Sequence, residues 1–290
     1  MILVTGATGH LGKAVVNGLL AKINPTEIAV LVRQEAQAKH FRDLGVDVRI
    51  GDYDHYDTLV AAFKGIDKLY FVSASDFHNR LPQHTNVVNA AKEAGVKHIV
   101  YTSFQRVNET ETSPIAQLAK PHLVTEQLIK ASGMTYTILR HGLYFDTIPM
   151  FIGENILETR NIFTPAGEGR TAYALRAEQA EAGVNILLGN GHENKEYELA
   201  GTETFSYGDV AAALSAHTQT PITYFSPTVA EFTQALEQAN VPEIYIGLFA
   251  GFSTAIKEGE FAKTSADLEQ LIGRKPSTLR EFITKAYSQN

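Results

Sequence analysis

Three glycines spaced G-x-x-G-x-x-G, at Gly6, Gly9 and Gly12 in TGATGHLG, follow the apolar run Ile2, Leu3 and Val4. Directly after them Leu11, Val15, Val16, Leu19 and Leu20 recur at helical spacing. A strand that ends in such a turn and feeds an amphipathic helix has few ways to fold. A second apolar run, EIAVLVR (27–33), completes a strand–turn–helix–strand unit of about 30 residues, the context in which a glycine spacing becomes evidence. In a dinucleotide cradle the first glycine permits the tight turn. The second lets a pyrophosphate approach the backbone, and the third lets the helix pack closely on the sheet. The helix start then offers free N–H groups and partial positive charge to phosphates. A glycine turn without a ligand is the competing reading.

The alternation continues. VDVRIGDY (46–53), DKLYFVSA (67–74), KHIVYTS (97–103) and TYTILR (135–140) read as strands. Between them DTLVAAFKG (57–65), QHTNVVNAAKEAG (83–95) and HLVTEQLIKASG (122–133) read as helices, the last two closed by glycine. This rhythm predicts an α/β fold, a Rossmann-type doubly wound parallel sheet covered on both faces. After about residue 145 it loosens. TVAE (228–231), TSAD (264–267) and TLRE (278–281) each have the Thr-x-x-acid form of a capped helix start. YELAG (197–201) and ITYF (222–225) read as short strands. The expected division is an NAD(P)-binding domain over 1–150 and a smaller helix-rich C-terminal lobe over 151–290, with return segments to the sheet.

The strand ends suggest which dinucleotide. An acid about 20 residues beyond the glycines holds the ribose hydroxyls in NAD binders. Here Arg33 ends the second strand, and a guanidinium suits the 2′-phosphate of NADP. NADP(H) is therefore favoured over NAD(H), although Glu35 nearby offers an acid and Arg33 has an ordinary reading as a solvated side chain. Asp52 and Tyr53, at the end of strand three, fall beside the adenine. Ser73, Ala74 and Ser75, after strand four, fall at the carboxyl edge where open parallel sheets bind ligands, and all five positions have an ordinary reading as loop residues.

Composition narrows the classes. The chain has 290 residues and no cysteine, which removes disulfides, thiolate catalysis and cysteine-ligated zinc. A net charge of -7 argues against broad nucleic-acid binding. No apolar run approaches a membrane span, and the first strand begins at Ile2, so the expected location is cytoplasmic. The histidines show no metal spacing, and no metal site is expected.

TGATGHLG, VLVR, GDY, NVVNAAKEAGVKHIVYTS, YTILRHGLY and YELAG together resemble the NmrA-like branch of the atypical short-chain dehydrogenases/reductases. Within that branch the chain is most similar to type 2 NAD(P)H:quinone oxidoreductases and triphenylmethane reductases. The likeness runs nearly end to end and includes EFAKTSADLEQLIG near the C-terminus. It implies NADPH binding and reduction of a small quinone-like acceptor, by a monomer or homodimer. Carried over by position, the cofactor loop falls on Gly6, Thr8, Gly9, His10, Leu11 and Gly12, and the 2′-phosphate contact on Arg33. The substrate side falls on Tyr101, Thr102, Tyr144 and the segment around His122. Two departures stand out: His141 replaces the asparagine of LR-N-G, and RAEQAE (176–181) replaces an Arg-x-Asp start.

None of the tyrosines has lysine four residues on, so the Tyr-x-x-x-Lys dyad of ordinary short-chain dehydrogenases is missing. Alcohol oxidation and sugar epimerisation by that route are not expected. Hydride transfer to an electron-poor quinone needs chiefly proximity and orientation, and solvent or a weak acid can complete the protonation. Tyr101 and Tyr144 are candidates to hydrogen-bond the acceptor or stack on its ring, with core packing as the alternative. His122, near the position of the catalytic lysine in aryl-ether reductases of the superfamily, is a candidate proton donor. A side-chain pair with Glu126, four residues on, explains it equally well. The alternative to an enzyme is an NmrA-like redox sensor that binds NAD(P) without turning it over.

Overall fold

The structure, a computed structural model, describes residues 1–288. Runs of β-branched and aliphatic residues in the first half form strands, buried on both faces in the middle of the sheet and only partly buried in the edge strand Asp47–Ile50. They are β1 (Ile2–Val4), β2 (Ile28–Val32), β3 (Asp47–Ile50), β4 (Lys68–Phe71), β5 (His98–Phe104) and β6 (Thr135–His141). Three more follow: β7 (Asn161–Phe163), β8 (Lys195–Leu199) and β9 (Thr223–Phe225). The main sheet has seven strands in the order β3-β2-β1-β4-β5-β6-β8, and every pairing is parallel. This is the expected Rossmann-type α/β fold. Its seventh strand is β8, which the sequence marks as a strand without assigning it to this sheet. β7 and β9 form a separate two-stranded parallel sheet.

Helices cover both faces. On one, α1 (His10–Leu20) and the helix Arg176–Leu188 pack over Val4, Val30, Tyr70, Val100 and Leu139. On the other, α3 (Tyr56–Phe63), α4 (Arg80–Glu93) and α5 (Ala116–Ala131) enclose Leu3, Leu31, Leu69, Phe71, Ile99 and Tyr101; the short α2 (Lys39–Asp43) leads into β3. A third cluster, built around Phe145, Tyr173, Phe261 and Phe282, forms the core of the C-terminal half.

Two helices begin earlier than the sequence reading placed them. α4 starts at Arg80 rather than residue 83, and α5 at Ala116 rather than residue 122. Neither start has a side-chain cap, and α5 runs through Pro121, which normally marks a helix boundary. Thr228 with Glu231 and Thr278 with Glu281 form the expected capping boxes. The third box does not form at Thr264. Its helix begins at Asp267, Ser265 Oγ accepts the Asp267 amide at 3.0 Å, and the Asp267 carboxylate accepts the Glu198 amide of β8 at 2.8 Å. Among the described residues no helix is long and apolar enough to cross a membrane, and no cluster of side chains has the makings of a metal site.

Candidate active site

Strand order reverses between β1 and β4, and the divergence of the connections there opens a crevice at the carboxyl ends of the strands. A cavity of about 720 Å³ occupies it. The glycine turn forms one end. Gly6 sits at φ +60°, and Gly9 closes the turn by donating its amide to the Gly6 carbonyl at 2.9 Å. α1 begins at once, with no side-chain cap and no acid in its first turn. The first helical bond runs from Lys13 to Gly9, so the amides of His10, Leu11 and Gly12 have no backbone acceptor. Free donors at a helix start attract an anion, and they are the physical requirement of a pyrophosphate cradle. A Cβ on Gly9 would meet only the Gly6 carbonyl at 3.3 Å, leaving the approach to the backbone open. Gly12 differs from expectation: a Cβ there would lie 2.3 Å from the Gly6 carbonyl. Its absence of a side chain makes room for the turn itself rather than for packing against the sheet.

All twelve expected cofactor positions line this cavity. Arg33 is exposed and free of any ion pair among the described residues, whereas Glu35 is bound by Arg42 and lies off the cavity wall. The acid that would have favoured NAD is thus already engaged. Asp52 Oδ1 accepts the Asp54 amide at 3.0 Å. The Tyr53 hydroxyl lies 2.5 Å from Thr5 Oγ1 and 2.9 Å from the Val72 carbonyl, tying strand ends together, so only its ring remains for a ligand. The Ser73 amide donates to Thr102 Oγ1 and the Ala74 amide to His84 Nε2, each at 2.9 Å. At 73–75 the serine hydroxyls, not those two amides, are available.

The far end of the cavity is apolar, walled by Phe104, Leu118, Met150, Phe151, Leu248 and Phe252. His122 projects into it from α5, stacked on Phe104 with ring centroids 5.8 Å apart. Glu126 is not its partner. That carboxylate is held by Arg106 at 2.9 Å and Arg140 at 3.0 Å. Burial alone would raise its pKa, but these two guanidinium groups hold it down to about 2.

Tyr101 is fully buried and does not line the cavity, contrary to the expectation that it touches the acceptor. Instead its hydroxyl lies 2.7 Å from His122 Nδ1. The direction of each proton follows from its neighbours. Because the Ala74 amide must donate, His84 Nε2 is bare, and its proton sits on Nδ1, 2.9 Å from Thr125 Oγ1. The Thr125 hydroxyl passes its own proton to the Pro121 carbonyl at 2.6 Å. The Tyr101 hydroxyl, 3.3 Å from that protonated Nδ1, therefore donates to His122. This assignment puts the hydrogen of neutral His122 on Nε2, which has no acceptor among the described residues. Burial, then the Arg80 guanidinium, push His122 well below its usual 6.5. A neutral ring in this setting is suited to donate a hydrogen bond, and its titration is displaced downward from the near-neutral range expected of a proton donor.

Tyr144 does line the cavity, with the Arg176 guanidinium 4.6 Å above its ring; burial raises its hydroxyl to about 12. His141 is also on the wall, pushed down to about 4 by burial, and its Nε2 has no partner. Arg80 and His84 escape the sequence reading as site residues, and Arg176 enters it only as the start of RAEQAE. The one local signal was an arginine opening a helix whose first turn holds no acid.

The fold and its crevice are those of a short-chain dehydrogenase/reductase that lacks the tyrosine–lysine dyad. The chain belongs to the NmrA-like family, which it matches over residues 1–285. It is 36% identical over 290 residues to quinone oxidoreductase 2 of Escherichia coli strain K12, covering 100% of both chains. To the NAD(P)H azoreductase of Xenophilus azovorans it is 30% identical over 282 residues, covering 97% of this chain and 96% of the other. The structure of Citrobacter sp. triphenylmethane reductase complexed with NADP(H) superposes with a TM-score of 0.91 at 38% identity, over 99% of this chain and 100% of that one.

Proposed function

We propose that the chain is an NADPH-dependent reductase that delivers a hydride to a quinone or similarly conjugated acceptor in the cytoplasm. Residues 1–150 hold the cofactor, and residues from 151–290 complete the acceptor chamber. One observation carries this reading: a single cavity joins three free helix-terminal amides to an apolar chamber onto which the His122 ring opens. The two curated relatives described above are named as reductases of quinones and azo compounds, and the superposed reductase is a complex with NADP(H). These support the same assignment here.

In this reading Gly6, Thr8, Gly9, His10, Leu11 and Gly12 cradle the pyrophosphate, Arg33 takes the 2′-phosphate, and Asp52 and Tyr53 flank the adenine. Ser73, Ala74 and Ser75 border the passage to the chamber. When bound, the nicotinamide supplies the hydride. The aromatic wall excludes water and orients a flat acceptor, which provides most of what the reaction needs. His122 donates a hydrogen bond to an acceptor oxygen and stabilises the negative charge that grows on it. Losing that proton would leave an imidazolate, so water completes the protonation after transfer. Tyr101 acts through His122 as a positioning residue, and Tyr144 borders the acceptor. Steady-state NADPH oxidation with and without a small quinone panel, beside NADPH binding by fluorescence, tests this. Saturable, acceptor-dependent turnover is expected; tight binding with no turnover on any quinone overturns it in favour of a sensor.

A further inference from the structure

Arg80 is a charged group on the cavity wall for which this chemistry has no use. Its side chain is 7% exposed, yet among the described residues no carboxylate lies within ion-pair distance. Nε donates to the Ala74 carbonyl at 2.7 Å, and the guanidinium rests 5.0 Å from the Phe77 ring centroid. Both Nη nitrogens lack a protein acceptor in a side chain that lines the cavity. Burying a guanidinium without a counter-charge opposes folding. The placement is unfavourable a second time, because Arg80 is the first residue of α4, where the helix dipole disfavours a cation and no acid stands in the first turn. Stability alone would select an acid or a small polar residue here.

The other two arginines on the wall are disposed differently. Arg33 stands exposed at the cradle end, and Arg176 lies over Tyr144 with Asp146 at 3.8 Å. The carboxylates nearby in sequence are committed. Asp76 accepts the amides of His78 and Asn79, and Asp54 accepts the side chains of Asn79 and Gln83. A pyrophosphate already has the free amides at the start of α1. Arg80 stands one turn before His84 on α4, and the His84 ring lies 6.1 Å from that of His122, which points to the acceptor side for the open N–H groups.

We propose that Arg80 is an anion anchor for the acceptor, so that the chamber prefers flat conjugated acceptors carrying a carboxylate, sulfonate or ionised hydroxyl group. The free Nη pair would grip such a group in the bidentate manner that suits a guanidinium. This rests on the reductase reading and names its substrate class. The same oxyanion chemistry has a second source, a cofactor phosphate, and the experiment separates the two.

The protein is loaded with NADP+ and titrated calorimetrically with two redox-inert probes of like shape, naphthalenesulfonate and uncharged naphthalenesulfonamide. The wild type should bind the sulfonate tighter by on the order of ten-fold or more. Arg80→Met should erase that preference while changing NADP+ affinity by less than about two-fold, and Arg80→Lys should keep part of it. Because an unpaired cation is removed, the thermal midpoint of Arg80→Met should hold or rise. In turnover, the variant should lose kcat/KM for a naphthoquinone sulfonate and keep it for the unsubstituted naphthoquinone. Equal binding of both probes by the wild type overturns the proposal. So does an NADP+ loss as large as the sulfonate loss, which would assign the anion to the cofactor. A lowered midpoint with both probes lost would make Arg80 structural and overturn it too. The binding arm needs no catalysis: if no quinone is reduced, the reductase reading fails while the sulfonate preference is still read directly.

Discussion

At Gly9 an added side chain would look into the cavity, whereas at Gly12 it would collide with the Gly6 carbonyl, 2.3 Å from the first new carbon. The two glycines of one motif should therefore fail differently. Gly9→Val should fold with a thermal midpoint near wild type and lose NADPH binding, because the β-region backbone at φ −83° and ψ 169° suits valine. Gly12→Val should lose stability by about 2 kcal/mol or more, through overpacking of the turn. Thermal unfolding beside NADPH fluorescence separates them, and retained NADPH affinity in Gly9→Val would remove the cradle. Arg33→Ala should weaken NADPH by about ten-fold or more and NADH little, since only NADPH brings a phosphate to a charge-assisted bond. Equal losses in binding titrations would deny Arg33 the selector role. Tyr101→Phe removes the donor that fixes the His122 tautomer. Its kcat with a quinone should fall by about ten-fold with NADPH affinity intact. An unchanged kcat would mean that His122 needs no such support.

The strands were legible because a parallel strand buried on both faces reads as a near-continuous apolar run, as IAVLV does throughout and HIVYTSF does at Ile99, Val100 and Tyr101. The starts of α4 and α5 were not, since neither has the capping chemistry by which a sequence announces a helix. β8 was legible as a strand but not as a neighbour of β6, because that pairing joins Thr137 to Lys195 across a long stretch of chain. The site divides in the same way. The cradle is local and could be read from eight residues, whereas the hydrogen bonds that settle His122 come from β5, α4 and the loop after β4. Pro121 belongs to this scale. It occupies the sixth position of α5, where it removes one helical hydrogen bond immediately before His122, and its carbonyl anchors Thr125. Pro121→Ala should raise stability by about 1–2 kcal/mol and lower quinone turnover by re-aiming the helix at His122. Denaturant midpoints and kcat measured together test this; unchanged stability with full activity would show that the proline imposes no strain.

Across the whole molecule the buried histidines set an acid limit. His84, His98, His122 and His141 are each under 7% exposed, and burial pushes all four down: His84 to about 3, His98 and His141 to about 4, and His122 well below 6.5. Unfolding returns each to a value near 6.5, so below that pH the unfolded chain binds protons that the folded chain refuses. The stability these neutral histidines preserve is complete above pH 6.5 and drains away as pH falls toward 4. Each contributes a slope of up to about 1.4 kcal/mol per pH unit, so the four act together as a steep dependence over a range in which most carboxylates remain ionised. Glu126, held at about 2, adds its loss only in stronger acid, below its usual 4.5. Urea midpoints should therefore hold from pH 7.5 to about 6.5 and fall steadily from there to pH 5. His141→Asn, which restores the amide found in the family pattern and removes a buried imidazole with an unpartnered Nε2, should reduce the slope by about one proton and leave the protein more acid-tolerant. A flat profile between pH 6.5 and 5 would mean that these rings are charged in the folded protein. His122 would then be an imidazolium in the chamber, able to hand a proton to the reduced acceptor directly.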